Sequence, residues 1–327
     1  MTQPDYLRER DLAVTAVTEA AKICAAVQDE ISSEVLEKKD RSPVTVADFG
    51  SQAVICRLLA ERFPGDPVIA EEGSAELREG RGAELLPRVV EHVGRVVPGC
   101  SADDVCAWID HGGASEYSQR FWTLDPIDGT KGFLRRQQFA ISLALIVDGR
   151  LTVAAVGCPE LDLDGGMGVV FSAVSGHGAA QQLLGGSGEP TPIAVSREGD
   201  PAQIRFCESV EKAHSSHDDA ARIAERLGIV ASPVRLDSQT KYAVVARGDA
   251  EAYLRLPKSA VYREKIWDHA GGALLVDEAG GRVTDIAGNP LDFTRGRTLE
   301  RNRGVIVSNG RVHDAILGAI SELGIGC

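Results

Sequence analysis

The chain has 327 residues, 43% of them hydrophobic and 25% charged, which is the balance of a globular protein too long for one small core; one large or two packed domains is the expectation. A formal net charge of -13 argues against a nucleic-acid partner, which would require a basic stripe to release counterions, but leaves room for a small anionic substrate in a locally cationic cleft. The longest apolar run, residues 139–147, is far short of the roughly 20 residues that cross a bilayer, and the opening MTQPDYLRERD has no apolar h-region, so a cytoplasmic protein without a membrane partner is expected.

Apolar residues at helical spacing over 11–31 predict an amphipathic helix, and the polar stretch 38–43, ending in proline, reads as a loop. A second helix is predicted from Thr45 or Val46 to Arg62, where Pro64 and Gly65 stop it. A short apolar strand at 67–70 runs directly into Glu71 and Glu72. Residues 76–119 are richer in charge, helical around 85–97, and read as a surface excursion between two strands. Strand-like runs follow at 121–124, 139–147, 151–157, 168–174 and 178–182. Asp148-Gly149 between two of them is a hairpin signal, and the short turns imply an antiparallel sheet.

After a Gly- and Ser-rich stretch at 183–189 the pattern changes. Strands at 204–207, 234–236, 252–256, 282–284 and 305–308 alternate with helices at 218–227, 240–246, 267–278 and 311–323. The expected organisation is therefore an antiparallel-sheet N-terminal domain with helices, residues 1–194, and a smaller α/β domain, residues 195–327. As a fold class this is a mixed α+β or α/β protein, a layered αβαβα sandwich. The seven cysteines are scattered and lack CxxC spacing, which fits neither a disulfide framework nor a zinc site.

The sharpest chemical feature is WTLDPIDGT, residues 122–130. An apolar strand ends in Asp125, Pro126 fixes the backbone and removes a donor, and Asp128 follows with Gly129 and Thr130. Such a turn can bring both carboxylates and the Ile127 carbonyl oxygen toward one point, and hard oxygen ligands suit magnesium rather than zinc. Glu71, also at a strand end, can add a third carboxylate; the alternative is that Asp125 and Asp128 only stabilise a turn and that Glu71 and Glu72 sit in water. Far along the chain, EKIWDHAGG places Asp268 at the opening of an apolar helix, where it either stabilises the helix N-terminus or joins a second metal.

WTLDPIDGTKGF together with IWDHAGGALLVDEAGG resembles the inositol monophosphatase superfamily of magnesium-dependent, lithium-sensitive phosphatases. More narrowly, KDRSPVTVADFGSQ, DGTKGFLR, GCPEL and YREKIWDH are similar to the 3'(2'),5'-bisphosphate nucleotidases, which release phosphate from adenosine 3',5'-bisphosphate to leave AMP. The resemblance spans about residues 36–308. It implies two or three Mg²⁺ ions on Glu71, Asp125, Asp128, Asp268 and the Ile127 carbonyl. Asp48 and Thr130 correspond to the catalytic pair that orients and deprotonates the attacking water, with Thr130 hydrogen-bonded to Asp48. The substrate is expected on Gly129, Thr130, His214, Ser238, Lys241, Arg255 and Asp268. One departure is LRRQQ after the metal motif, where Arg136 is expected to alter the rim of the cleft. The implied reaction is direct in-line attack of water without a phosphoenzyme, by a monomer or homodimer. The alternatives are a phosphatase of inositol phosphates with the same metal chemistry, and a noncatalytic nucleotide-binding sensor.

Overall fold

Helix α1 (Leu7–Asp29) turns Ala13, Val17, Ala20, Cys24 and Val27 inward at helical spacing, and helix α2 (Ser42–Arg62) is apolar on several sides because it packs between other layers. This computed structural model describes residues 5–31, 42–78, 80–210, 217–257, 259 and 261–326. The two helices cover one face of a seven-stranded sheet, in which β1 (Val68–Ala70), β2 (Arg120–Asp128), β3 (Ala140–Val147), β4 (Arg150–Leu163), β5 (Gly166–Val174), β6 (Gly178–Leu183) and β7 (Thr191–Ile193) lie in chain order. Every neighbouring pair is antiparallel except β1 and β2, which run parallel. Asp148 and Gly149 both adopt positive φ and join β3 to β4 as the two-residue turn their sequence predicts.

Period-two alternation sends the two faces of each strand to different cores. Ile141, Leu143 and Leu145 of β3 pack toward α1 and α2, while Ala140, Ala144 and Ile146 pack on the opposite side. That opposite side is covered by α8 (Thr240–Ala246) and α9 (Ala270–Glu278). Beyond them stands the second sheet, ordered β11 (Arg282–Thr284), β12 (Val305–Ser308), β10 (Ala252–Arg255), β8 (Phe206–Glu208) and β9 (Val234–Arg235), with both parallel and antiparallel pairs. Helices α7 (His217–Leu227) and α10 (His313–Glu322) close its far face around Ile204, Ile223, Ile306, Ile316 and Ile320. Three apolar cores thus lie between five layers, helix–sheet–helix–sheet–helix, as the αβαβα expectation has it.

Three expectations need correction. Residues 76–119 are not a surface excursion: α3 (Ala75–Arg78), α4 (Gly80–Val96) and α5 (Ala102–His111) bury Leu77, Val89, Val93, Val105 and Ile109 in the same core as α1 and α2. Their charges lie on the outward faces, and charge density alone hid the inward stripe. Strand β2 does not stop at Asp125 but continues through a register break to Asp128. Likewise β4 runs on to Leu163 through a second register break that accommodates Pro159. Among the described residues no helix is long and apolar enough to cross a membrane.

Candidate functional site

The parallel pairing of β1 with β2 has a direct chemical result. Ala70 is the register partner of Leu124, so the next residue on each strand, Glu71 and Asp125, emerge side by side at the same sheet end. On the other flank of β2, Asp125 pairs with Ser142 and Asp128 with Ala140, so four residues of β2 oppose three of β3. Pro126, with no N–H to give the ladder, sits in this bulge. Asp125 Oδ1 accepts the Ile127 N–H at 3.1 Å, which folds the bulge back on itself. Gly129 then takes φ 90°, and a Cβ there would meet Ser238 Cβ at 3.0 Å.

The second sheet brings its own residues to the same place. Ser238 holds a left-handed backbone at φ 67°, unusual for a residue with a side chain, and this aims the following N–H of Gln239 at Asp128 Oδ2, 2.6 Å away. Lys241, on the first turn of α8, is buried with Nζ 5.0 Å from the Tyr253 ring centroid and donates to the Leu236 carbonyl at 3.3 Å. Arg255, at the end of β10, grips Glu264 through Nε at 3.2 Å to both carboxylate oxygens and Nη2 at 3.1 Å. Glu264 also meets His269 Nε2 at 3.3 Å, and His269 Nδ1 lies 2.6 Å from the Tyr242 hydroxyl. Asp268 precedes α9 rather than lying in its first turn, because the helix begins only at Ala270.

These parts line one cleft of about 620 Å³. Of the expected site residues, Glu71, Asp125, Ile127, Asp128, Gly129, Thr130, Ser238, Lys241, Arg255 and Asp268 all contribute to its wall. Asp48 lies buried behind that wall, close enough to Glu71 and Glu72 for their charges to act on it. Its placement follows from Gln52, one helical turn on, whose side chain bonds both the N–H and the carbonyl of Glu72, at 3.1 and 2.8 Å. The expected Thr130–Asp48 hydrogen bond is not formed: Thr130 is exposed at the start of α6 (Thr130–Leu134), and Asp48 Oδ1 is buried with no partner. His214 lies outside the described residues. Arg136 does not line the cleft; its Nη2 donates to the carbonyls of Gln28 at 2.8 Å and Ile31 at 3.4 Å, at the end of α1.

Sequence reasoning missed Gln239, the Tyr242–His269 pair and Arg297. The Arg297 guanidinium stacks 4.5 Å from the Trp267 ring centroid and donates to the Ala70 carbonyl at 2.8 Å and the Glu71 carbonyl at 3.4 Å. It thereby ties the segment carrying Glu71 to the segment carrying Asp268. No local pattern marks a lone arginine in the stretch TRGRT for that role.

Electrostatically the cleft is a cluster of like charges. Among the described residues Glu71, Asp125, Asp128 and Asp268 have no ion-pair partner. Burial pushes the carboxyl of Asp125 well above its ordinary range, and the charges of Glu71, Asp128, Asp268 and Asp48 add to the shift. Asp268 rises through burial and the charge of Asp128, and Asp48 through burial and the charges of Glu72 and Glu71. Glu71 and Glu72 are each raised to about 7, burial again leading. The Glu71 side chain opens on the cleft, so solvent moderates its share. Lys241 moves the other way, lowered by burial to about 8.

A metal fits this donor set. The oxygens are hard, they converge from separate segments, and the repulsion among them is what a divalent cation would relieve. A second grouping, Glu264, Asp268 and His269, has ligand atoms within 4.8 Å of one another. Glu264 is already engaged by Arg255 and His269, so that triad reads as an ion-pair network sharing only Asp268 with the acidic cluster.

The shifts carry a pH signature. Glu71 and Glu72 have folded-state values near 7 against an ordinary 4.5, so the folded chain binds more protons than the unfolded one between those values. Stability of cation-free protein is therefore greatest below about pH 4.5 with respect to these groups and is lost as pH rises through 7. Thermal melting in chelator should give a Tm that falls by several degrees over that window, and magnesium should restore more at the alkaline end. A Tm that is flat with pH and indifferent to the cation would contradict the cluster.

Comparison with known proteins gives a consistent set of relatives. A model described as the inositol monophosphatase family matches residues 8–324. A Schizosaccharomyces pombe protein named 3'(2'),5'-bisphosphate nucleotidase is 42% identical, covering 96% of this chain and 95% of its own. An Oryza sativa protein of the same name is 43% identical over 97% of this chain and 94% of its own. Among solved structures, an inositol monophosphatase from Anabaena superposes with a TM-score of 0.64 at 20% identity, covering 98% of this chain and 97% of that one, a likeness of fold.

Proposed function

The chain belongs to the inositol monophosphatase family, and on that premise we propose that it is a magnesium-dependent 3'(2'),5'-bisphosphate nucleotidase, removing the 3'(2')-phosphate from adenosine 3',5'-bisphosphate to leave AMP. The single observation that carries the reading is the pairing, in one cleft, of an acidic cluster whose carboxyls are raised by burial and mutual repulsion with Lys241, Arg255 and a tyrosine wall of Tyr242, Tyr253 and Tyr262. The sulfated relative of the substrate, 3'-phosphoadenylyl sulfate, presents the same phosphate and ribose and falls within the proposal.

Glu71, Asp125, Asp128, Asp268 and the Ile127 carbonyl are the proposed ligands of two or three Mg²⁺ ions. When bound there, magnesium supplies Lewis-acid polarisation of the phosphoryl oxygens and lowers the pKa of water. Everything else falls to the chain. Thr130 and Asp48 are the proposed pair that orients the attacking water and takes up its proton; because Asp48 Oδ1 is buried without a partner, the transfer requires the Thr130 hydroxyl to close on it. Water oxygen bonds to phosphorus as the bond to the ribose oxygen breaks in line; the leaving oxygen takes a proton from solvent, and Asp48 gives back to solvent the proton it took. Lys241 and Arg255 neutralise the remaining phosphate, with Ser238 as a neutral donor beside them; His214 is the further proposed contact. The apolar faces of the tyrosines favour a base over a polyol.

The deciding experiment measures phosphate release from adenosine 3',5'-bisphosphate and from inositol 1-phosphate with and without Mg²⁺. A preference of ~10²-fold or more in kcat/KM for the nucleotide is expected, because two charged contacts and a stacked base are absent from the polyol complex. A comparable preference for inositol 1-phosphate would transfer the chain to the other branch of its family. Tight nucleotide binding without turnover would make it a sensor.

A further inference from the structure

Gln239 touches the neighbourhood of three aspartates at once. Its backbone N–H donates to Asp128 Oδ2 at 2.6 Å. Its side-chain Oε1 accepts from Ser142 Oγ at 3.0 Å, and Ser142 is the cross-strand partner of Asp125. Its Nε2 donates to the Trp267 carbonyl at 2.9 Å, one residue before Asp268, and Oε1 also accepts the Gly272 N–H at 3.1 Å, in the first turn of α9. The residue is 1% exposed and its three side-chain bonds lie in a low-dielectric interior, so breaking any of them leaves a buried polar group unpaired. Two donors face Oε1 and one acceptor faces Nε2, which fixes the amide orientation.

We infer that Gln239 is a positioning residue that sets the register between the two carboxylates of β2 and the one ahead of α9, and so determines cation affinity. This rests on the reading of the cleft as a divalent-cation site. Asp125 and Asp128 are carried by the first sheet and Asp268 by the helical layer above it. Arg297 ties the Glu71 segment to Trp267 by stacking and carbonyl bonds, whereas the packing of β3 and β4 on α9 is mostly apolar and tolerates small sliding. A glutamine amide with three directional bonds does not. The left-handed Ser238 just before it is the local cost of bringing the Gln239 N–H and side chain to bear on opposite sides.

The test is calorimetric titration of Mg²⁺ into chelator-stripped, full-length protein, wild type against Gln239→Met. Methionine keeps length and volume and removes the three side-chain bonds, while the backbone bond to Asp128 survives. Cation affinity should fall by ~10–100-fold, the usual cost of removing an outer support from a metal site. The variant's cation-free Tm should change less than its Mg²⁺-bound Tm; a mere filler of the core would lower both equally and leave affinity alone. An affinity within about twofold of wild type overturns the inference. Should Gln239→Met fail to fold by circular dichroism, Ser142→Ala decides: it removes one bond and should weaken binding several-fold, and unchanged binding overturns the inference. No uptake of Mg²⁺ by the wild-type chain would instead overturn the cation reading itself.

Discussion

Asp128→Asn is expected to lower kcat by ~10³-fold or more while leaving the cation-free fold as stable as before. Asparagine keeps an oxygen to accept the Gln239 N–H, so the bulge and the Ser238 turn retain their contact. What disappears is one negative charge that acts on Glu71, Asp125 and Asp268 alike. Without the cation this removes repulsion, so the Tm in chelator should hold or rise. With magnesium present the variant should lose most of the thermal gain seen in the wild type. Kinetics and paired melts read both halves. A Tm in chelator several degrees below wild type would recast Asp128 as a structural residue, and near-normal turnover would remove it from the chemistry.

Arg255→Ala should act on two quantities that a second substitution can separate. Arg255 and Glu264 form an inward pair, their side chains 16% and 7% exposed. Burial pushes Glu264 up, but His269 and Arg255 outweigh it and hold the carboxyl to about 2. Deleting the guanidinium leaves that carboxylate with His269 as its remaining partner, at a cost of ~1.5–3 kcal/mol for the lost charged bond. It should also remove the proposed charged contact to the nucleotide, worth ~1.5–3 kcal/mol, or a rise in KM of ~10–100-fold. In Arg255→Ala/Glu264→Gln the under-compensated charge is gone, so stability should largely return while KM stays high. A small phosphate ester, reaching only the acidic cluster, should show little change in KM. Equal losses on nucleotide and small ester would mean that Arg255 shapes the site without touching the substrate's distal part.

Much of this molecule was legible before its shape was known, for reasons that differ by layer. The strands of the first sheet announce themselves because Ile141, Leu143 and Leu145 alternate with small residues over the length of β3, and because Asp148-Gly149 admits hardly any turn but a tight one. The acidic cluster was legible because carboxylates directly after apolar strands are expensive unless they serve a purpose. The parallel sense of β1 was not, since a three-residue strand carries no directional signal. Nor were Gln239 and Arg297, which act through main-chain carbonyls and amides of segments remote in sequence; a hydrogen bond to the Trp267 or Ala70 carbonyl leaves no trace in the identity of either residue. The helices of 76–119 were misjudged because composition averages over faces, whereas folding sorts by face. The missing Thr130–Asp48 bond marks the limit of carrying a pairwise contact across from resemblance alone.

The brevity of β1 has an evolutionary corollary. Val68, Ile69 and Ala70 set where Glu71 sits through their pairing with Trp122, Thr123 and Leu124, with Arg297 on the Ala70 carbonyl and Gln52 on the backbone of Glu72 holding the end. A slip of one residue would turn Glu71 to the opposite side of the sheet and subtract it from the cluster. The helical insert that links β1 to β2 is tied to β1 at its end, where Gly112 and Gly113 meet Ala70 and Ile69, and its outer turns bear no such constraint. Homologues should therefore differ in its length by whole turns without loss of activity, while tolerating neither insertion nor deletion across the three residues that precede Glu71.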